Sequence, residues 1–188
     1  MKKIGKEEIV KISIELFRKQ GYNRTSMNDL AMACGLHKGS FYHHFHSKEA
    51  LMKEVLQTLL HYYNTKLFSI AHNKELRPKE RMELFFKKQE PIFTSNLHGC
   101  LFGNITLETI GVEEEFRTVI HCFFSSWIDA FFQIFFDDGN DHTAALAMAK
   151  SSVMEMEGAL MLMRVFNDAK ILHQACEHII SKFNHINQ

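Results

Sequence analysis

The sequence predicts an all-α protein of about nine helices, with a three-helix head, a long helix leaving it, and a larger helical body. Three observations carry this expectation. Apolar residues recur at steps of three and four along nearly the whole chain, which is the spacing of one helix face. Gly21, Gly35 and Gly111 stand where those stripes stop, the usual place of a helix terminator. Ser26 and Asp29 are spaced as a capping box, in which a hydroxyl and a carboxylate each take an unpaired backbone N–H. With 188 residues, 46% hydrophobic and 23% charged, the chain can bury one sizeable core or a small head on a larger body.

The first helix is expected over Lys6–Gln20, where Val10, Ile14 and Phe17 form the stripe and Lys11, Glu15 and Arg18 fall off it. Gly21 ends it. The second helix, capped by Ser26, carries Met27, Leu30, Ala31 and Cys34. Gly35 then supplies a left-handed terminator, and Leu36 plugs the turn between two crossing helices. The third runs over about residues 37–44 and turns Phe41 and Phe45 to the core at i and i+4. Lys38, Ser40, Tyr42, His43 and His44 are left on its other faces. A long helix over residues 48–73 follows, capped by Ser47 and marked by Leu51, Val55, Leu59, Tyr62, Tyr63 and Leu67. It is expected to be the only covalent bridge from a head of residues 1–48 to a body of residues 49–188.

In the body, Pro78 opens a helix at a favoured first-turn position, and Pro91 is expected to kink or split it. His98-Gly99-Cys100 breaks the pattern. A helix resumes with Leu101, Ile105 and Leu107 and stops at Gly111. Phe116, Ile120, Phe123, Trp127, Phe131 and Ile134 then step by three and four, with Phe124, Phe132 and Phe135 beside them, as in a helix buried nearly all round. The richest apolar run, residues 123–136, is interrupted by Ser125, Ser126, Asp129 and Gln133 and is shorter than the roughly 20 residues that span a bilayer. No membrane span is expected. After Asp137-Asp138-Gly139-Asn140, two helices are expected over His142–Phe166 and residues 169–183. The Ala- and Met-rich first and the Leu172, Cys176, Ile179, Phe183 stripe of the second fit a four-helix interface between two copies.

The formal net charge of zero conceals an asymmetry. Residues 1–48 hold nine Lys/Arg against four Asp/Glu, an excess of five positive charges, and the remainder holds the matching negative excess. A basic head on an acidic body suits a phosphate-backbone partner. The start of the chain leads into alternating charge rather than an apolar signal core, so the protein is expected in the cytoplasm. The four cysteines form no C-x-x-C pair, which argues against a zinc knuckle or a disulfide framework. His37, His43, His44 and His46 do not share an i, i+4 helical face, so no metal site is expected. No nucleophile elbow, P-loop, dinucleotide fingerprint or H-E-x-x-H motif is present, so no catalytic residue, cofactor or enzyme activity is assigned.

The side chains left outside on the third helix are of the types that touch DNA. Lys38 can pair with guanine O6/N7 or a phosphate, Ser40 with either kind of base edge, and Tyr42 and the histidines with phosphates or a thymine methyl. Gly39, without a Cβ, permits close approach to the duplex.

The run Thr25-Ser26-Met27-Asn28-Asp29-Leu30-Ala31-Met32-Ala33-Cys34-Gly35-Leu36-His37-Lys38-Gly39-Ser40-Phe41-Tyr42-His43-His44-Phe45-His46-Ser47-Lys48-Glu49-Ala50-Leu51 resembles the DNA-binding signature of TetR-type (TetR/AcrR family) helix-turn-helix repressors, long and ungapped. The resemblance implies that Lys38, Ser40 and His43 read bases and that Thr25, Tyr42, His44 and Lys48 contact phosphates, with Ser26, His37 and Gly39 completing the DNA-binding set. His37 stands where a small hydroxyl residue is commoner, and His46 where proline is. Gly99-Cys100-Leu101-Phe102-Gly103-Asn104 and Glu157-Gly158-Ala159-Leu160-Met161-Leu162-Met163-Arg164 resemble pieces of a large TetR-type subgroup in which the last two helices dimerise and a pocket lies among the middle helices.

The function implied is a homodimeric, ligand-responsive repressor on a pseudo-palindromic, double-stranded operator, released by an apolar or aromatic small molecule. The alternatives are a DNA-binding protein without small-molecule control and a helical enzyme or carrier. Candidate ligand-lining residues are Phe86, Phe93, Cys100, Phe102, Trp127, Phe131, Met154 and Met161. Each of these also reads as core packing. Cys100, after a glycine in a helix break, is in addition a candidate for an exposed, reactive thiol or for a buried, inert one.

Overall fold

The order of elements follows the caps and stripes closely. The computed structural model describes residues 4–94, 98–109 and 114–185. Among them are nine α-helices: α1 (Lys6–Gln20), α2 (Met27–Ala33), α3 (Lys38–His44), α4 (Lys48–Lys66), α5 (Pro78–Thr94), α6 (Leu101–Thr109), α7 (Glu114–Asp137), α8 (His142–Phe166) and α9 (Lys170–Ser181), with 3-10 turns at Phe68–His72 and Lys182–His185.

These residues form two compact units. One takes the chain up to Leu60 together with Leu101–His121, and the other takes His61–Cys100 and the chain from Cys122 onward. The division therefore falls at Leu60 rather than at Lys48, and the chain passes between units three times rather than once. The reason lies in α6 and the first turns of α7, which carry their own partners for the head, as the hydrogen bonds of Glu108 and the ring of Phe116 show below.

In the first unit, α1 packs on α2 and α2 on α3. The core is built from Ile9, Val10, Ile14, Phe17, Leu30, Ala31, Phe41 and Phe45, all buried. The turn between α2 and α3 closes as the sequence predicts. Gly35 has φ +65°, its N–H donates to the Met32 carbonyl (3.0 Å), and the Leu36 N–H reaches back to the Ala31 carbonyl (2.9 Å). That double bond pattern is a Schellman terminator, and glycine is needed there because an L side chain is strained at positive φ.

In the second unit, aromatic rings dominate. Phe68 stacks on Phe85 (6.1 Å between centroids) and on Trp127 (6.5 Å), Tyr63 meets Phe123 edge-on (5.1 Å), and Phe85 meets Phe131 edge-on (5.0 Å). The long helix expected to reach Asn73 ends instead at Lys66. Leu67, Phe68, Ile70 and Ala71 are all buried. In the 3-10 turn, residues three apart eclipse, so Leu67 with Ile70 and Phe68 with Ala71 form two pairs turned inward together. The helix α5 runs through Pro91 unsplit. Only three residues follow Pro91 in it, so the proline costs one hydrogen bond near the end instead of breaking the interior.

The helix α7 is 24 residues long and, by length and composition alone, apolar enough to cross a membrane. The helix extends well beyond residues 123–136, so its length does not fall short of a bilayer as expected from that run. Its apolarity is spent on packing: Phe123, Trp127, Phe131, Ile134 and Phe135 are buried against rings of the second unit. Leu107, expected on the inner face of α6, is 81% exposed. Gly111, the expected stop of that helix, lies outside the described residues.

Candidate nucleic-acid interface and ligand core

Helix α3 is mounted by two anchors. Phe41 and Phe45 are buried, which fixes the rotation of the helix and leaves His37, Lys38, Gly39, Ser40, Tyr42, His43 and His44 exposed. His37 is the N-cap of α3 but makes no capping bond through its ring, so the imidazole remains outside the helix's own hydrogen bonding. The Lys38 ammonium lies over the Tyr42 ring at 5.9 Å, a cation–π contact that holds both side chains on one face. Gly39 has nothing within 4 Å of the place a Cβ would occupy, so the protein itself does not require glycine there. Gly39→Ala is therefore expected to raise the thermal midpoint, by a gain of up to about 1 kcal/mol in helix propensity, while lowering operator affinity. Melting curves and gel shifts on one preparation check it, and unchanged affinity would show that the duplex does not need the missing Cβ.

Ser26 caps α2 with Asp29. The Ser26 hydroxyl oxygen accepts from the Asp29 N–H (3.2 Å), and the Asp29 carboxylate accepts from the Ser26 N–H (2.9 Å) and hydroxyl (2.6 Å). These bonds hold the Asp29 carboxyl below its usual range. Thr25 is buried, and its hydroxyl donates to the Gly21 carbonyl (2.6 Å). Its side chain is thus committed inside the turn. The Lys48 ammonium donates to the Tyr22 carbonyl (2.9 Å) and sits 4.2 Å from the centre of the Tyr22 ring. An ammonium has three donors, and this one is positioned by the turn before α2.

That turn was not singled out by the sequence pattern, and it is where α6 enters the head. The Glu108 carboxylate accepts from the Asn23 N–H (2.8 Å), and the Asn23 amide donates to the Glu108 carbonyl (3.4 Å). Gly21 has φ +84°, and a Cβ on it would stand 2.9 Å from a Glu108 carboxylate oxygen. The Tyr22 ring meets Phe116 edge-on at 5.6 Å, and its hydroxyl donates to Glu49 (3.1 Å). Contacts 85 residues apart leave no local spacing by which Glu108 could be found.

In the second unit, Phe86, Phe93, Cys100, Trp127 and Phe131 are buried as expected for core or lining residues. Two of the other candidates are corrected. Met154 and Met161 are 67% and 59% exposed, because α8 buries the stripe through Ala149, Val153, Met156, Leu160 and Met163 and both methionines fall on its opposite side. Phe102 is buried too, but in the first unit. A groove of about 350 Å³ is lined by Tyr62, Lys66, Leu67, Lys88 and Ile92, none of them predicted.

Cys100 is 4% exposed and its thiol hydrogen-bonds the Glu157 carboxyl. Burial pushes the Cys34 thiol up to about 11 and the Cys176 thiol up to about 12. Cys122 is the exposed cysteine. A thiol reagent added to the folded protein is expected to label Cys122 fast and the other three only on unfolding. Fast labelling of Cys100 would contradict this.

A helix-turn-helix with a polar, basic outer face on a helical body defines a DNA-binding transcriptional regulator, and comparison with known proteins agrees. Residues 9–55 match the model of bacterial regulatory proteins of the tetR family. Residues 78–178 match the C-terminal domain of LmrA/YxaF-like transcriptional regulators. The chain belongs to the TetR family. It is 29% identical to the uncharacterized HTH-type transcriptional regulator YxaF of Bacillus subtilis, over 93% of each chain. It is 25% identical to the HTH-type transcriptional repressor DhaR of a Mycobacterium species, over 90% of this chain and 87% of that one. The crystal structure of a TetR transcriptional regulator from Legionella pneumophila superposes with a TM-score of 0.87 at 26% identity, covering 97% of this chain and 99% of that one.

Proposed function

We propose that the protein is a homodimeric repressor that sets one α3 helix per subunit in successive major grooves of a pseudo-palindromic operator and is released by a small molecule held in its second unit. The observation that carries this reading is the α3 face itself, with Lys38, Ser40, Tyr42, His43 and His44 exposed on the anchors Phe41 and Phe45. Lys38, Ser40 and His43 read base edges, and Tyr42, His44 and Lys48 hold phosphates.

Dimerisation is supported by α8. Met154, Met161, Leu162, Val165 and Phe166 are exposed on it, and with Gly158 they recur at steps of three and four, the pattern of a helix seam left for a partner. Ligand control is supported by the chain order. Cys100 closes one segment of the second unit, α6 begins at the next residue, and Glu108 in α6 grips the turn that positions Tyr22 and Lys48. A small molecule that favours one setting of that connection shifts DNA affinity by its differential binding, typically about 1–3 kcal/mol.

The test combines sedimentation with DNA titration. The wild-type protein is expected to run as a dimer and bind one palindromic site with a steep salt dependence. Val165→Glu is expected to give a monomer that binds it poorly. A dimeric Val165→Glu protein would move the interface elsewhere, and a wild-type monomer on DNA would overturn the paired reading.

A further inference from the structure

The groove of about 350 Å³ is walled by two helices, each of which gives it one lysine and one apolar or aromatic side chain. Tyr62 and Lys66 stand four apart on α4, and Lys88 and Ile92 stand four apart on α5, so each pair shares a helix face. Leu67, the next residue after α4, completes the lining and is 2% exposed, so the inner wall is apolar. All five residues belong to the second unit. The volume falls within the range of small-molecule sites, about 300–1,000 Å³.

The charge of this groove is one-sided. Among the described residues neither the Lys66 nor the Lys88 ammonium has an ion pair or a hydrogen bond, and the Tyr62 hydroxyl has no hydrogen bond. Neither lysine has a carboxylate three or four positions away, and residues 55–74 contain no Asp or Glu. The nearest carboxylates along α5, Glu83 and Glu90, stand five and two positions from Lys88, off its face, and Glu90 acts on Cys176 of α9. Other cations of the same stretch are matched: Lys53 pairs with Glu115, Arg77 with Glu80, and both Lys74 and Arg81 with Asp137. Two unmatched ammoniums in one apolar groove therefore stand out on a body whose net charge is negative.

We propose that this groove binds a small organic carboxylate with an apolar body. The carboxylate accepts from Lys66, Lys88 and the Tyr62 hydroxyl, and the body lies on Leu67 and Ile92. This deepens, and rests on, the reading of the protein as a ligand-released regulator. A carboxylate offers about four lone-pair sites, enough for two ammoniums and a hydroxyl, and bonds to charged donors are the stronger kind. An anion between two like charges also relieves their repulsion, which a neutral molecule leaves and a cation increases. The apolar wall rewards a hydrocarbon body, and the lysine stems can extend that wall while their ammoniums stay in water. Helix α4, which ends at Lys66, begins at Lys48, so one helix carries a ligand contact at its end and a phosphate contact at its start.

The full-length protein is titrated by calorimetry with 4-phenylbutyrate, 4-phenylbutan-1-ol, 4-phenylbutylamine and acetate. The phenylbutyrate is expected to bind about fivefold or more tightly than the alcohol at low salt, with the amine weakest and acetate giving no saturable heat. Its advantage is expected to shrink as salt rises and to vanish in the double variant Lys66→Gln, Lys88→Gln. Equal binding of phenylbutyrate and alcohol, tightest binding of the amine, acetate as tight as phenylbutyrate, a preference that survives the double variant, or no binding of any probe would each overturn the proposal. If the double variant does not fold, the order of the four probes on the wild-type protein decides alone. Operator release is scored separately. A phenylbutyrate that binds through the two lysines yet leaves the DNA bound upholds the site and contradicts ligand control by it. A neutral compound that releases the DNA from a protein that ignores phenylbutyrate upholds ligand control and removes the carboxylate site.

Discussion

Alanine at Lys38 or at His43 is expected to weaken binding to the cognate operator by about 1–3 kcal/mol each, a factor of roughly 5–150, while binding to random DNA falls far less. Both side chains are exposed on α3, and neither is needed for the core that Phe41 and Phe45 build. Loss of affinity therefore reports lost base contacts and not a collapsed head. Lys48→Ala should behave differently, weakening specific and random DNA together and flattening the logarithmic salt slope by about one. It should also loosen the turn, because its ammonium holds the Tyr22 carbonyl. Competition titrations at several salt concentrations separate the two classes. Equal losses on both kinds of DNA for Lys38→Ala would move that residue from base reading to phosphate binding.

The largest effect on stability is expected at Arg81. Its guanidinium is 4% exposed and donates to the Ala71 carbonyl (2.6 Å), the Leu76 carbonyl (3.2 Å) and the Asp137 carboxylate (2.5 Å). One side chain thus ties the 3-10 turn, the loop before α5 and the end of α7. Arg81→Met leaves two carbonyls and a half-buried carboxylate without this donor, a loss of about 3 kcal/mol. For a chain of this size that is about 6–12 °C in Tm. Burial pushes the Asp137 carboxyl up, but hydrogen bonds from Lys74, Arg81 and Gln133 outweigh it and hold it below the usual range. A carboxyl with a depressed folded value stabilises the protein above its unfolded pKa and loses that contribution as pH falls through the folded one. The gap between wild type and Arg81→Met is therefore expected to narrow in acid, and urea melts at neutral and acidic pH measure it.

The helices were legible because their signals are local. Ser26 with Asp29, Gly35 with Leu36, and Phe41 with Phe45 each specify a bond or a face within a few residues, and the α1 stripe of Val10, Ile14 and Phe17 is buried as read. The exposed set on α3 was legible for the same reason, since two buried phenylalanines determine what the other faces are. What was not legible depends on distant partners. Glu108 at the Tyr22 turn and Arg81 at Asp137 show no periodicity that would mark them. Met154 and Met161 were misplaced because methionine is equally at home in a core and on a seam, and only the neighbours of α8 decide which.

Selection of binding sites from random double-stranded DNA by the full-length protein tests the central claim most directly. The account predicts enrichment of a pseudo-palindrome whose half-sites lie about one helical turn apart, with the enrichment lost in Lys38→Ala and His43→Ala. Enrichment of a single unpaired half-site, or no sequence preference at all, would contradict it.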